Sequence, residues 1–493
     1  LRNISICLIL SFGFFGDLFA REPDSDCFYA KSYGDIPYSA YIVNYNCIDR
    51  DVVIPETIRG MKVTAIVSGF YNKQLTSLVI PDSVTFIGHN AFTENKLTSV
   101  VIPENVNWIG EKAFAFNQLT SVNIPVGLKK ISFDTFKYNQ LTSVIIPEGV
   151  SEIGYRAFAS NQLTSVIIPD SVKSIEWEAF ENNQLTSVVI PEGLKRIGIG
   201  TFRNNKLTSV TIPDSVTRID DSAFKDNQLT SVLIPENVLD INAEAFANNQ
   251  LTSLAIPNNV SFIGSNAFAS NHLTSVELPV NLKYIYAGVF EDNQLTSVVI
   301  PNSVITIGSH AFRHNLLSSV IIPGNVRRIE QEAFTFNNIT SAIISERMEY
   351  IGDKAFANNQ LNSLVLPNSV SFIGSEAFAS NQLTSVVLSE SLKVIHYGAF
   401  KDNQLTSVLM PEGLESISDK SFANNLLTAL VIPNSVRYIG QEAFANNQLT
   451  SILMPKNVII DLAGLPTEFI AEYVRHNREG GSYQLSTSGW IKL

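Results

Sequence analysis

The sequence predicts an α/β repeat solenoid of about 18 stacked coils, with short parallel β-strands joined by short helical or 3₁₀ turns. Three observations predict it. A 22-residue unit, approximately L-T-S-V-x-I-P-x-x-V-x-x-I-G-x-x-A-F-x-x-N-x, runs seventeen times without insertion or deletion across residues 81–455. Phenylalanine recurs eighteen times at this period, from Phe70 through Phe92 and Phe114 to Phe444, and isoleucine seventeen times, from Ile87 to Ile439. Asparagine holds a third column seventeen times, from Asn95 to Asn447. Such a unit buries its apolar edge only by stacking on its neighbours.

Each element of the unit follows in order. In Leu97-Thr98-Ser99-Val100-Val101-Ile102, the leucine, Val100 and Ile102 point inward while Thr98, Ser99 and Val101 face out. This L-x-x-L-x-L spacing is that of a leucine-rich repeat strand, so the solenoid is expected to form an arc or horseshoe roughly 80–90 Å long. Pro103 cannot donate to a ladder and closes the strand. Val106 and Ile109 re-enter the core from the opposite wall, and Gly110 is expected to swing the chain into Glu111-Lys112-Ala113-Phe114, a helical or 3₁₀ turn. The small residue before each Phe (Ala91, Ala113, Ala157, Ala179) suits a crowded position. The Asn column is expected to be buried, its amides bonded to neighbouring coils about 4.8 Å away. Asn95, Asn117, Asn249 and Asn447 thus belong to a structural ladder.

The net charge of −12 argues against nucleic acid or an anionic membrane as the main partner. Acidic residues after the proline (Asp82, Glu104, Glu148) suit turn chemistry and solubility, and one carboxylate per coil gives calcium little to hold. Residues 1–20 read as a secretory signal, with Arg2 as its basic start, Ile4 to Phe15 as its apolar core and Ala20 at the cleavage point. Neither Cys7 nor Cys27 sits in a lipidation pattern, and no other stretch is long and apolar enough to span a membrane. After cleavage Cys27 and Cys47 remain. In an oxidising compartment they can pair and close the N-terminal cap, worth about 3 kcal/mol; two free thiols are the alternative.

The chain divides into a signal (1–20), an N-terminal cap (21–69), a repeat array (70–458) and a C-terminal tail (459–493). In the cap, Val52-Val53-Ile54-Pro55 and the segment ending Val63-Thr64-Ala65-Ile66 echo the unit, but Pro55 precedes Pro81 by 26 residues. The I-P-x-x-V-x-x-I-G-x-x-A-F unit and this entry segment resemble the BspA-type leucine-rich repeat family over roughly residues 41–458. That family usually carries a cysteine near the Asn column and a unit one residue longer, so the chain resembles a shorter, asparagine-bearing variant. The tail, with Phe469, Tyr473, Asn477, Gly480-Gly481-Ser482-Tyr483 and Gly489-Trp490, is similar to a short C-terminal module of some members, expected as a hairpin anchored by Trp490. The resemblance implies a secreted or surface-exposed (periplasmic or outer-surface) protein that adheres to host proteins, matrix or other cells.

The candidate partner surface is the outward column between the fourth and sixth strand positions. It includes Val101, Ile145, Ile167, Val189, Glu277, Val299, Ile321, Ile343 and Val365, and is mostly apolar on a face expected to meet solvent. Asn123, Thr211 and Glu277 interrupt it. A second stripe before the invariant Ile holds Phe86, Trp108, Phe262, Tyr284, Tyr350, Phe372 and Tyr438 among Lys130, Arg196, Arg218 and Arg328, suited to a partner or a glycan. One coil is irregular (Ile339, Ala342, Ser345, Met348), either a bend or a drifted copy.

Enzyme chemistry finds no purchase. His310 and His314 have i,i+4 spacing without the glutamate of H-E-x-x-H. There is no phosphate loop and no nucleophile elbow, and neither metal nor cofactor is expected. The expected function is a non-catalytic, adhesin-like protein-binding surface, with a self-associating structural or cell–cell contact protein as the alternative. Stacked Thr columns also suit ice binding, which curvature and the adjacent apolar column disfavour.

Overall fold

The computed structural model describes residues 25–32, 38–461 and 463–493. The signal read at 1–20 lies outside them. From Asp51 to Asp461 the chain is a parallel β-solenoid with two strand-bearing walls. On the strand wall, three-residue strands such as Ser143–Ile145 and Ser165–Ile167 pair in register, Val144 opposite Val166. On the turn wall, two-residue strands pair coil to coil, as in the run from Tyr284–Ile285 through Arg328–Ile329 to Phe372–Ile373. The strands are short because a proline follows, and the turn it starts is closed by the Val106 N–H donating to the Pro103 carbonyl at 3.0 Å.

Between the walls, the Phe rings stack in a single file, with centroids 5.5 Å apart for Phe246 and Phe268 and planes 2° from parallel. Phe246 is fully buried, as are Leu251 and Ala245 beside it. Where a hydroxyl replaces the small residue before the ring it is bonded locally: buried Thr135 donates to the Ser132 carbonyl at 2.8 Å and Thr201 to the Gly198 carbonyl at 2.9 Å.

The turn after the invariant Ile is not helical. Lys112 and Phe116 are both left-handed, with φ of 56° and 57°, and the same two positions repeat along the array. Consequently alternate amides point along the solenoid. Lys112, Phe114 and Phe116 donate to carbonyls of the next coil at 2.9–3.0 Å, while Ala113 and Ala115 close tight turns onto Gly110 and Lys112. A helix would instead direct all of them back along its own axis. Gly110 acts through close approach, since a Cβ there would lie 2.5 Å from the His89 backbone nitrogen.

The stack starts earlier than the sequence suggests. Strands β1 (Phe28–Ser32) and β2 (Ser39–Tyr45) form an antiparallel pair, followed by β3 (Asp51–Val53), β4 (Thr57–Ile58) and β5 (Met61–Ile66). β3 pairs in parallel with β6 (Ser77–Val79), and β5 with β7 (Phe86–Ile87). Both walls therefore exist from Asp51 onward, giving about 19 coils; the extra residues form the β4–β5 hairpin. The irregular coil keeps its register, with Ile321 opposite Ile343 and Met348 fully buried. It is a drifted copy that keeps its place in both walls.

Cys27 and Cys47 form a disulfide joining the 3₁₀ turn just before β1 to the segment after β2. The double variant Cys27→Ser/Cys47→Ser is expected to weaken the cap by about 3 kcal/mol. Limited proteolysis checks this: cleavage should speed up within residues 28–66 and stay unchanged in the array. The tail folds as a helix, α1 (Thr467–Arg475), and a hairpin of Gly481–Ser486 and Gly489–Lys492 whose first strand pairs antiparallel with Ser451–Met454. Trp490 is buried edge-on against Phe469 at 5.3 Å. The hairpin covers the last strand, and α1 covers the core beneath it.

Candidate functional site

The outward column of the strand wall is a line of exposed aliphatic side chains. Fourteen of its members, from Val79 to Leu453, are 44–83% exposed, while their strand neighbours Val144, Val166, Val320 and Leu364 are buried. Alternation along a strand dictates this. Ile145 lies beside Ile167, Ile321 beside Ile343, and Val365 beside Val387. Val189 bridges through Thr211 to Leu233. From Val299 through Ile321, Ile343, Val365, Val387, Leu409 and Val431 to Leu453 the column is unbroken, a stripe roughly 30–35 Å long at strand spacing. Exposed Thr and Ser rows border it.

The interruptions differ in character. Glu277 pairs with Ala255 across the ladder and stays exposed, placing a carboxylate between the two halves of the stripe. Asn123 is drawn in: its amide nitrogen donates to the Ile102 carbonyl at 2.7 Å and its oxygen accepts from the Ile102 N–H at 2.9 Å. Its side chain thereby stands in for a backbone peptide and separates Val101 from Ile145.

The asparagines lie elsewhere, in the interior behind the Phe file. Asn249 is buried; its oxygen accepts from the Leu229 N–H at 3.0 Å, and its nitrogen donates to the carbonyls of Phe224 and Phe246 at 2.9 and 3.1 Å. Asn95 and Asn117 make the same set. Asn447, in the last repeat, keeps these bonds but is only half-buried. Every donor and acceptor of these amides serves the stack, so none is left for a ligand.

On the turn wall, stacking and ion pairs absorb much of the second stripe. Tyr350 and Phe372 stack at 4.7 Å, with the Arg328 guanidinium 4.0 Å over Tyr350, and burial pushes the Tyr350 phenol up. Buried Asp220 sits between Arg196 and Arg218, and Lys130 pairs with Glu152. Tyr438 donates to Asp461 at 2.5 Å, a bond that pushes its phenol up to about 12. His310 and His314 diverge: His314 contacts Asp292 at 2.8 Å, while His310 lies 3.6 Å from Glu332. Among the described residues, the one convergent set with metal-ligand atoms is Cys27, Cys47 and Asp49, and both its sulfurs are in the disulfide. No helix among them is long and apolar enough to cross a membrane.

Sequence reasoning missed a further column, two residues after the invariant Ile, where Phe133, Tyr155 and Trp177 follow one another. Phe133 and Tyr155 line a groove of about 330 Å³ that also takes in Trp108, and Tyr155 and Trp177 line the depression beside it. The available signal was tryptophan usage: the chain has three, and two of them, Trp108 and Trp177, are exposed here.

A search of curated proteins gave no significant match. Among solved structures, YopM from Yersinia enterocolitica WA-314 is similar at 19% identity and a TM-score of 0.44, covering 86% of this chain and 91% of that one. A leucine-rich repeat protein from Bacteroides ovatus ATCC 8483 is similar at 21% identity and a TM-score of 0.40, covering 88% and 98%. Likeness at this level bears on neither function nor detailed geometry. A family profile described as "BspA type Leucine rich repeat region (6 copies)" matches residues 66–185, 151–272, 261–383 and 371–461. Those matches span both walls, the Phe file and the Asn ladder, and the chain accordingly belongs to the BspA-type leucine-rich repeat family, whose solenoids act as non-catalytic protein-binding scaffolds.

Proposed function

We propose that this chain is a secreted or cell-surface, adhesin-like module that binds an extracellular protein through the apolar stripe of its strand wall. The observation that carries this reading is the unbroken exposed run from Val299 to Leu453. A row of aliphatic groups held at strand spacing and bordered by hydroxyls offers a partner a contiguous apolar strip with a polar rim. Burial of such a strip supplies binding free energy, while Glu277 and Asn123, which interrupt the column ahead of this run, set the register of contact. Export is supported by the signal-like segment at 1–20 and by the Cys27–Cys47 disulfide, which suits an oxidising compartment. We take 21–69 as the cap, whose last part carries the first coil from Asp51, 70–458 as the repeat array and 459–493 as the tail.

The alternative of self-association through the solenoid ends has less to stand on. The β1–β2 pair covers one end and the helix with its hairpin covers the other. Binding of the 21–493 chain to immobilised extracellular-matrix proteins tests the proposal, alongside sedimentation velocity of the chain alone. Saturable binding by a monomer is expected. Absence of binding together with concentration-dependent oligomers would replace it with the self-associating role.

A further inference from the structure

We infer a second binding site on the turn wall, a groove across the coils bearing Trp108, Phe133, Tyr155 and Trp177, shaped for an uncharged oligosaccharide. It lies apart from the apolar stripe and does not depend on it. The groove of about 330 Å³ continues into a depression of about 450 Å³ at Tyr155 and Trp177, then into one of about 200 Å³ at Trp177 and Lys195. The first of these is at the lower end of small-molecule sites, roughly 300–1,000 Å³.

Two features select the ligand class. The first is aromatic surface left open. Trp108 stacks on Phe86, and Tyr155 on Phe133 at 5.2 Å, yet Trp108 and Trp177 remain 43% and 47% exposed. Among the described residues no aromatic ring stacks on Trp177. Such rings offer flat faces to the C–H side of a pyranose, and three coil steps separate Trp108 from Trp177, roughly 14 Å at strand spacing. The second is the polar lining between them. Glu111, Glu152 and Glu176 supply carboxylates, and Lys130 and His89 stand beside the first two. Paired acceptors and donors fit the hydroxyls of a sugar. In the first pocket three carboxylates outnumber the one lysine, which disfavours phosphate, sulfate or an anionic lipid there, while Lys173, Lys195 and Arg196 at the far depression leave the groove as a whole without a strong single sign of charge.

Titration of the 21–493 chain with linear glucan, mannan and chitin hexaoses, followed by tryptophan fluorescence and calorimetry, tests this. At least one hexaose should bind and change the emission. Trp108→Ala and Trp177→Ala should each weaken that binding by about tenfold or more, while Trp177→Phe stays within a few-fold of wild type. Both Ala variants should keep the wild-type melting temperature, because both rings are exposed; binding is compared only in variants that do. A high-mannose glycoprotein, before and after enzymatic deglycosylation, shows whether the source is a protein-borne glycan or a free polysaccharide. Failure of every saccharide to bind, or wild-type affinity in either Trp→Ala variant, would overturn the inference, whatever the matrix-protein binding shows.

Discussion

Phe246→Ala is expected to destabilise the folded chain by about 3–5 kcal/mol, the range for deleting a fully buried aromatic side chain. The ring is enclosed by Phe224 at 5.3 Å and Phe268 at 5.5 Å, with no solvent exposure. Neither neighbour can collapse into the gap without leaving its own place in the file, so the cavity persists. Each coil contacts only its neighbours, and the loss should therefore be local, loosening the coils around 224–268 before the rest of the array melts. Chemical denaturation with hydrogen exchange would show both the size and the place. A cost below about 1 kcal/mol would mean that the file is not the continuous core described.

Asn249→Ala should cost about 1–3 kcal/mol by a different mechanism. It leaves the Leu229 N–H buried without its partner, while the Phe224 carbonyl loses one of two amide donors and keeps that of Asn227 at 3.1 Å. Asn249→Asp should be worse at neutral pH, because a charged oxygen then faces the carbonyls of Phe224 and Phe246 where an NH₂ had donated. The same two changes at Asn447 should be milder, since that amide is only half-buried. Comparing the four variants by denaturant titration checks the order. Equal costs at Asn249 and Asn447 would contradict a role set by burial.

What could be read from the sequence followed from repetition. Phe, Ile, Leu and Asn recur because each column meets one environment many times, and strand alternation then assigns Val100 inward and Val101 outward. Features without a repeat were harder to see. The helix at Thr467–Arg475 occurs once, with Phe469 and Tyr473 as its buried pair. The first coil was hidden by the extra residues of its hairpin, although Val52 stacks opposite Leu78 in register. The left-handed turns did leave a signal, scattered among ordinary side chains such as Lys112 and Phe116: the first column holds Gly200, Gly288 and Gly398, and the second Asn182, Asn204 and Asn248, residues that tolerate a positive φ. The aromatic groove needs residues from two columns and several coils together, and no single column announces it.

The measurement that bears most directly on function compares wild-type chain with Val299→Lys/Ile321→Lys/Ile343→Lys in binding to a panel of extracellular-matrix proteins. These three side chains are exposed, so the variant should fold with an unchanged melting curve. Saturable binding by wild type that the variant loses is the predicted result. Equal binding by both would contradict the stripe as the adhesive surface and move the contact to another face.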